Sequence, residues 1–198
     1  MRQSPLIHTA LAALLCACAG DAELLNSERI EQQFGSYGVE VLFQQSDLRR
    51  SSLYSVDGGT RVCRTYAVVR FATPREPSID APHANVLAGG SLGATFRKFG
   101  WNVNKQTLHV GSLYVSDAGH PVAELMQLDS AQQLAMHIYR LQLVRHGTTV
   151  DYATVAELHH PDYLDEAALR GLYGPDAGDS SVAAPIVVEF RRLILESD

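Results

Sequence analysis

The sequence is short of the features that settle a protein's class at once. It has only three cysteines, Cys16 and Cys18 close together near the start and Cys63 alone. That excludes a disulfide framework and leaves Cys63 as a small core residue. It has no basic block. With 16 basic against 22 acidic side chains and a formal charge of -6, it lacks the footprint of a nucleic-acid-binding protein, so no nucleic-acid partner is expected. The apolar run over residues 6–15 is too short for a permanent membrane-spanning helix. The stretch Gly89-Gly90-Ser91-Leu92-Gly93 could cradle an anion at a helix start, but it lacks the Gly-Lys-Ser/Thr ending of a P-loop. Glu157, His159 and His160 match no zinc spacing, so no metal site is expected. No Ser-His-Asp arrangement stands out.

What is present is enough for one globular domain with a real core: 198 residues, 46% hydrophobic and 19% charged. The start is a leader rather than fold. Arg2 supplies a positive end, residues 6–15 an apolar stretch, and Leu15-Cys16-Ala17-Cys18 resembles a bacterial lipobox. On this reading Cys18 is the lipidated first residue of the mature protein, and the membrane is reached through that N-terminal lipid anchor. Ala19, not aspartate, follows it, which points to an exported lipoprotein of the outer membrane facing the periplasm. The alternatives are a plain signal peptide cleaved nearby, or a cytoplasmic protein if the segment is not processed. The expected layout is a leader over 1–18, an α+β domain over 19–174, and a linker with an apolar strand or helix over 175–198.

Residues 136–164 organise the rest. Ile138, Arg140, Gln142 and Val144 alternate with Tyr139, Leu141 and Leu143, the period of a strand. His146-Gly147 marks a turn, and Val150, Tyr152, Thr154, Ala156 and Leu158 bring the chain back. Glu157 sits in this apolar return and needs a partner, since an unpaired carboxylate is costly to bury. Arg140 or Arg145 across the hairpin is one option, with Glu157 then an outward-facing strand residue.

Upstream, Asn26 or Ser27 reads as the cap of a helix with Glu28 in its first turn. Strands are expected over 39–43, 50–54 and 61–71, the last two joined at Asp57-Gly58-Gly59. Residues 83–99 read as two short helices around a glycine elbow. One or two strands follow over 101–115, and a short helix over 165–172. Tyr66, Val68, Tyr139, Leu141 and Leu143 are expected in the core of a single sheet. The octets 34–41 and 96–103 line up as helix end, aromatic, glycine, strand. A helix-plus-three-strand unit used twice gives an α+β fold, with an antiparallel sheet and helices on one side.

Four segments, in order, resemble the chorismate lyase (chorismate pyruvate-lyase) family. Ser27-Glu28-Arg29-Ile30-Glu31-Gln32-Gln33 is similar to its first helix. Arg50-Ser51-Ser52-Leu53-Tyr54-Ser55-Val56-Asp57-Gly58 is similar to R-E-I/V-L-L-C-x-D-G, with Arg64-Thr65 for its A-R-T return. Gly90-Ser91-Leu92-Gly93-Ala94-Thr95-Phe96 is similar to T-P-L-G-x-x-L-F. Arg140-Leu141-Gln142-Leu143 and Ala156-Glu157-Leu158-His159-His160-Pro161 are similar to R-L-R-L and T-E-L-F-L-P. The resemblance implies a duplicated α-β fold. It also implies a cofactor-independent lyase, turning chorismate into 4-hydroxybenzoate and pyruvate or acting on a related cyclic acid. It places Arg50 and Glu157 as catalytic residues, with Leu92, Asn26 and Ser27 binding a small aromatic or acidic carboxylic acid. A protein that keeps the fold and binds such an acid without turnover is the alternative.

Overall fold

Alternation of apolar residues on both faces of the central strands decides the architecture. The computed structural model describes residues 24–174 and 180–196. Cys18, the leader and residues 175–179 of the expected linker lie outside them. Helix α1 (Asn26–Phe34) leads into β1 (Gly38–Gln45), β2 (Leu48–Asp57) and β3 (Thr60–Phe71). A 3-10 turn (Pro77–Ile79), α2 (Asp80–Leu87) and α3 (Leu92–Lys98) then lead into β4 (Asn102–Val115). After α4 (Pro121–Leu125) come β5 (Gln132–Arg145) and β6 (Thr148–His159), then α5 (Glu166–Tyr173) and α6 (Ser180–Leu195).

The six strands form one antiparallel sheet in the order β1-β2-β3-β6-β5-β4. The hairpin turns follow from local chemistry. His146-Gly147 and Gly58-Gly59 all take positive φ, the requirement of a two-residue turn whose twist matches its strands. Residues 101–115 contain one strand, interrupted by a register shift between Thr107 and His109. The expected core residues Tyr66, Val68, Tyr139, Leu141 and Leu143 are all buried.

One expectation is corrected. Helices cover both faces of the sheet, not one side. On the first face, α2 and α3 contribute Val86 and Phe96 to a cluster with Val69, Tyr139 and Leu141, and α1 and α5 contribute Ile30 and Leu169 to a cluster with Val110 and Ala135. On the second face, α4 and α6 lay Val122, Phe190 and Ile194 against Tyr66, Val68, Met136, Ile138, Ala156 and Leu158. The reason is visible in the strands: their alternate residues are apolar too, so the second face also has to be covered. The C-terminal apolar segment, open between strand and helix, is the helix that does so.

Phe190 is 1% exposed in that second layer. Phe190→Ala should destabilise the fold by roughly 3–5 kcal/mol, the usual cost of a deleted core aromatic. Urea unfolding of the two proteins checks this; a loss under about 1 kcal/mol means α6 is not part of the cooperative core.

Candidate functional site

The first face of the sheet carries an unusual number of buried polar groups. Arg49, Ser51, Thr65, Thr107, His137, Glu157 and His159 are all buried. Pairing puts several of them on one side: Arg49 faces Val69, Ser51 faces Ala67, and Val69 and Ala67 in turn face Val155 and Glu157. Together they line a cavity of about 60 Å³. Its wall is mostly apolar, with Leu25, Val39, Leu53, Val69, Leu92 and Val155 among its residues; Asn26, Ser27, Arg49, Lys105, Tyr139 and Glu157 supply polar groups. A void of this size has room for several waters. Gly93 lets α3 close on the start of α1, since a Cβ there would lie 2.7 Å from the Leu25 side chain.

Among the described residues three donors reach Glu157. Tyr139 donates its hydroxyl to Oε1 at 3.0 Å, Asn26 Nδ2 reaches Oε1 at 3.3 Å, and Lys105 Nζ lies 3.3 Å from Oε2. The Lys105 ammonium also stands 4.3 Å from the Tyr139 ring centroid and 5.5 Å from that of Tyr173. Burial, the largest single influence, pushes the Glu157 carboxyl up, but the Lys105 charge, the His159 and His137 rings and the Tyr139 hydrogen bond together outweigh it and hold it down at about 2. Lys105 in turn is held well above its ordinary value: burial opposes its charge, and Glu157, Tyr139 and Tyr173 together more than offset it. The cation for Glu157 therefore comes from β4, two strands away, and not from Arg140 or Arg145.

Arg49 is the second cation on the cavity wall, and it has no solvent exposure. Its Nε donates to Ser51 Oγ at 2.8 Å, and its Nη1 to the carbonyls of Val86 at 2.7 Å and Gly90 at 3.0 Å. Its Nη2 has no hydrogen-bond partner among the described residues, and none of their carboxylates pairs with it. Burial lowers its pKa.

The sequence-predicted residues divide. Glu157, Leu92, Asn26 and Ser27 line the cavity. Arg50 does not. Its neighbour in β3 is Val68 of the second face, and its Nη2 donates to the Leu193 carbonyl in α6 at 3.1 Å. The pairing of Arg50 with Glu157 in one pocket is thus corrected: Arg49 occupies that place, because adjacent strand residues point to opposite faces. The helix cap is corrected as well. Leu25 is the N-cap of α1, its N–H donating to Glu28 Oε2 at 2.7 Å. The Asn26 side chain serves the site instead, bonding Thr65 Oγ1 at 3.2 Å and accepting the Tyr163 hydroxyl at 2.6 Å.

His159 and His160 serve different partners. His159 Nδ1 meets Thr65 Oγ1 at 3.1 Å; His160 Nε2 lies 3.1 Å from the Met126 carbonyl and its Nδ1 accepts the Asp162 N–H at 3.0 Å. Among the described residues no three metal-ligating side chains gather at one point. His137 Nε2 meets Thr107 Oγ1 at 3.1 Å, and its ring stacks on Tyr173 with centroids 4.0 Å apart.

Next to this cavity lies a wider groove that shares Leu25, Val103 and Lys105 with it and adds Glu28, Arg97, Trp101, Leu172 and Tyr173. Glu28 and Arg97 neutralise each other across 2.9 Å.

Burial, with the nearby Lys105 charge, lowers the His137 pKa to about 3, and burial lowers that of His159 to about 4. Both rings are therefore neutral in the fold at pH 6, whereas in the unfolded chain they take up protons below about 6.5. Their contribution to stability is present above that pH and lost as pH falls from about 6.5 towards 4 for His159 and towards 3 for His137; the Glu157 contribution is lost from about 4.3 towards 2. Each buried histidine should steepen the decline by roughly 1.4 kcal/mol per pH unit. Urea unfolding at steps between pH 7 and 4 measures the slope, and His137→Phe should make it shallower. An unchanged slope in that variant means that the ring already carries its proton in the fold.

Set against known proteins, the chain matches no protein-family model and no curated protein, and the case for this cavity is carried by its own residues.

Proposed function

We propose that the cavity binds a small hydroxylated ring carboxylic acid, with Arg49 taking the carboxylate. The observation that carries this is a guanidinium with no exposure, no carboxylate partner among the described residues and an orphaned Nη2, set in a mostly apolar wall. A buried cation without counter-charge is costly to hold. A ligand carboxylate relieves that cost and accepts a charge-assisted hydrogen bond from Nη2, the nitrogen that Ser51, Val86 and Gly90 leave over. The spacing agrees. Arg49 and Glu157 stand two strands and two residues apart on one face, roughly 12 Å between Cα atoms. Two side chains reaching inward leave a gap that one ring with substituents at opposite ends can bridge. At the far end, ionised Glu157 accepts a ligand hydroxyl.

Two uses of such a site differ in whether the acid is turned over. Turnover in the manner of chorismate lyase is supported by the sequence resemblance and by strand order. Each half of the sheet is a run of three antiparallel strands, and each aligned octet spans a helix end and the strand after it, at Phe34 to Gly38 and at Lys98 to Asn102. Such a repeat supports the duplicated unit that the chorismate lyase resemblance implies. The reaction needs a carboxylate anchor and a group near the ring hydroxyl, and no cofactor. Binding without turnover is favoured by Lys105, because a carboxylate held at about 2 is a good hydrogen-bond acceptor and a weak base. Incubation of the purified domain with chorismate separates the two: release of pyruvate with 4-hydroxybenzoate marks the lyase, and thermal stabilisation by 4-hydroxybenzoate without pyruvate marks the binder.

Either use makes the same demand on adjacent arginines. Arg49→Met should weaken 4-hydroxybenzoate binding by roughly 1.5–3 kcal/mol, the scale of a charge-assisted hydrogen bond. Arg50→Ala should leave it unchanged. Calorimetric titration decides, and equal effects of the two variants would sink the proposal.

The site works, in this reading, on an exported protein anchored to the outer membrane through lipidated Cys18. No described helix is long and apolar enough to cross a membrane. Cys18→Ser should abolish labelling by a radioactive fatty acid and leave an unprocessed precursor; labelling that persists rules the anchor out.

A further inference from the structure

Two cations, Arg49 and Lys105, and one carboxylate, Glu157, line the cavity. Lys105 and Glu157 lie 3.3 Å apart with side-chain exposures of 15% and 5%. They neutralise each other in a poorly solvated place. Among the described residues Arg49 remains as one positive charge whose Nη2 has no hydrogen-bond partner. The groove next door does not change this balance, since its Glu28 and Arg97 form their own pair. The cavity therefore has the charge to hold one anion. A second ligand carboxylate at the Glu157 end would face a carboxylate whose counter-charge is already committed. With Glu157 and Lys105 this deeply buried, like charges repel more strongly than they would in bulk water. A neutral hydroxyl or amide at the same point instead donates a hydrogen bond to Glu157.

We infer that the Glu157–Lys105 pair sets the charge the site admits: ring acids with one carboxylate and a neutral donor opposite it are taken, and those with a second carboxylate there are refused. This rests on the reading that Arg49 binds the first carboxylate. It makes Glu157 and Lys105 specificity-determining residues. It also favours retention of a monocarboxylic acid over turnover of a dicarboxylic one, because a second carboxylate can be held only once Lys105 lets go of Glu157.

Three probes of like shape test it by calorimetric titration of the purified domain at pH 7: 4-hydroxybenzoate and 4-carbamoylbenzoate, each with one charge, and terephthalate, with two. The wild type should prefer both monoanions to terephthalate by tenfold or more. In Glu157→Gln the cavity keeps two cations, and the preference should move at least tenfold towards terephthalate. In Lys105→Met/Glu157→Gln one cation remains, and the preference for monoanions should return. Thermal melts by circular dichroism establish that each variant is folded. Should Glu157→Gln fail to fold, the wild-type comparison of 4-carbamoylbenzoate with terephthalate still decides, because the two differ in charge and hardly in shape. Equal wild-type affinities for that pair overturn the inference, and so does a preference that stays the same in folded Glu157→Gln; both outcomes leave the Arg49 reading standing. A wild type that binds none of the three acids overturns the Arg49 reading itself, and this inference with it.

Discussion

A carboxylate placed inside a sheet has to be compensated, and much of this structure follows from how Glu157 is compensated. Its three donors among the described residues come from three separate parts of the chain: Asn26 at the start of α1, Lys105 on β4 and Tyr139 on β5. The interaction thus ties the first helix to the far edge of the sheet. The same groups hold further contacts, Asn26 with Tyr163 and Thr65, Lys105 over Tyr139 and Tyr173. Such a network adds little net stability over a well-packed apolar one. What it adds is position, because each member can be satisfied only when the others are in place.

The stability needed to hold it comes from the other side of the sheet. There Tyr66, Val68, Met136, Ile138, Ala156 and Leu158 pack under α4 and α6, and the half-buried Arg50 and Arg70 reach α6 at Leu193 and Glu189. The two faces divide the labour. One is a closed apolar layer; the other trades apolar contact for Arg49, Lys105, Glu157 and two neutral histidines. A protein with one covered face would have to draw stability and site from the same residues. The helix that relieves this one of that constraint, α6, has a sequence whose apolar run by itself suits a strand as well as a helix.

Strands, hairpin turns and the core residues of β3 and β5 were legible because their signals are local: period-two alternation, His146-Gly147, Gly58-Gly59. Glu157 was legible as a carboxylate in need of a partner. Its partner was not, for Lys105 stands 52 positions away and only the order of strands brings it near. Arg49 was missed for a different reason. Counting back from Asp57 along a family pattern selects Arg50, and a shift of one residue exchanges the faces of the sheet. A signal did exist in the alternation of Arg49, Ser51, Leu53 and Ser55. With a serine at 52 and a tyrosine at 54 between them, composition does not say which set faces in.

The same parity explains why β4 needs its irregularity. Val103, Lys105 and Thr107 pair with Leu143, Leu141 and Tyr139 on the first face, whereas His109, Gly111 and Leu113 pair with Ile138, Met136 and Leu134 on the second. All six are odd-numbered, so a regular strand would put them on one side. It would either send Lys105 to the apolar layer, leaving Glu157 without its cation, or send Leu113 and Val115 out of that layer. One extra residue at the register shift, with Leu108 packed into the apolar cluster, satisfies both halves of the strand. Bulges are often found where a side chain has to be re-aimed. Here the re-aimed side chain is Lys105, so the charge balance of the cavity depends on a single inserted residue in an edge strand.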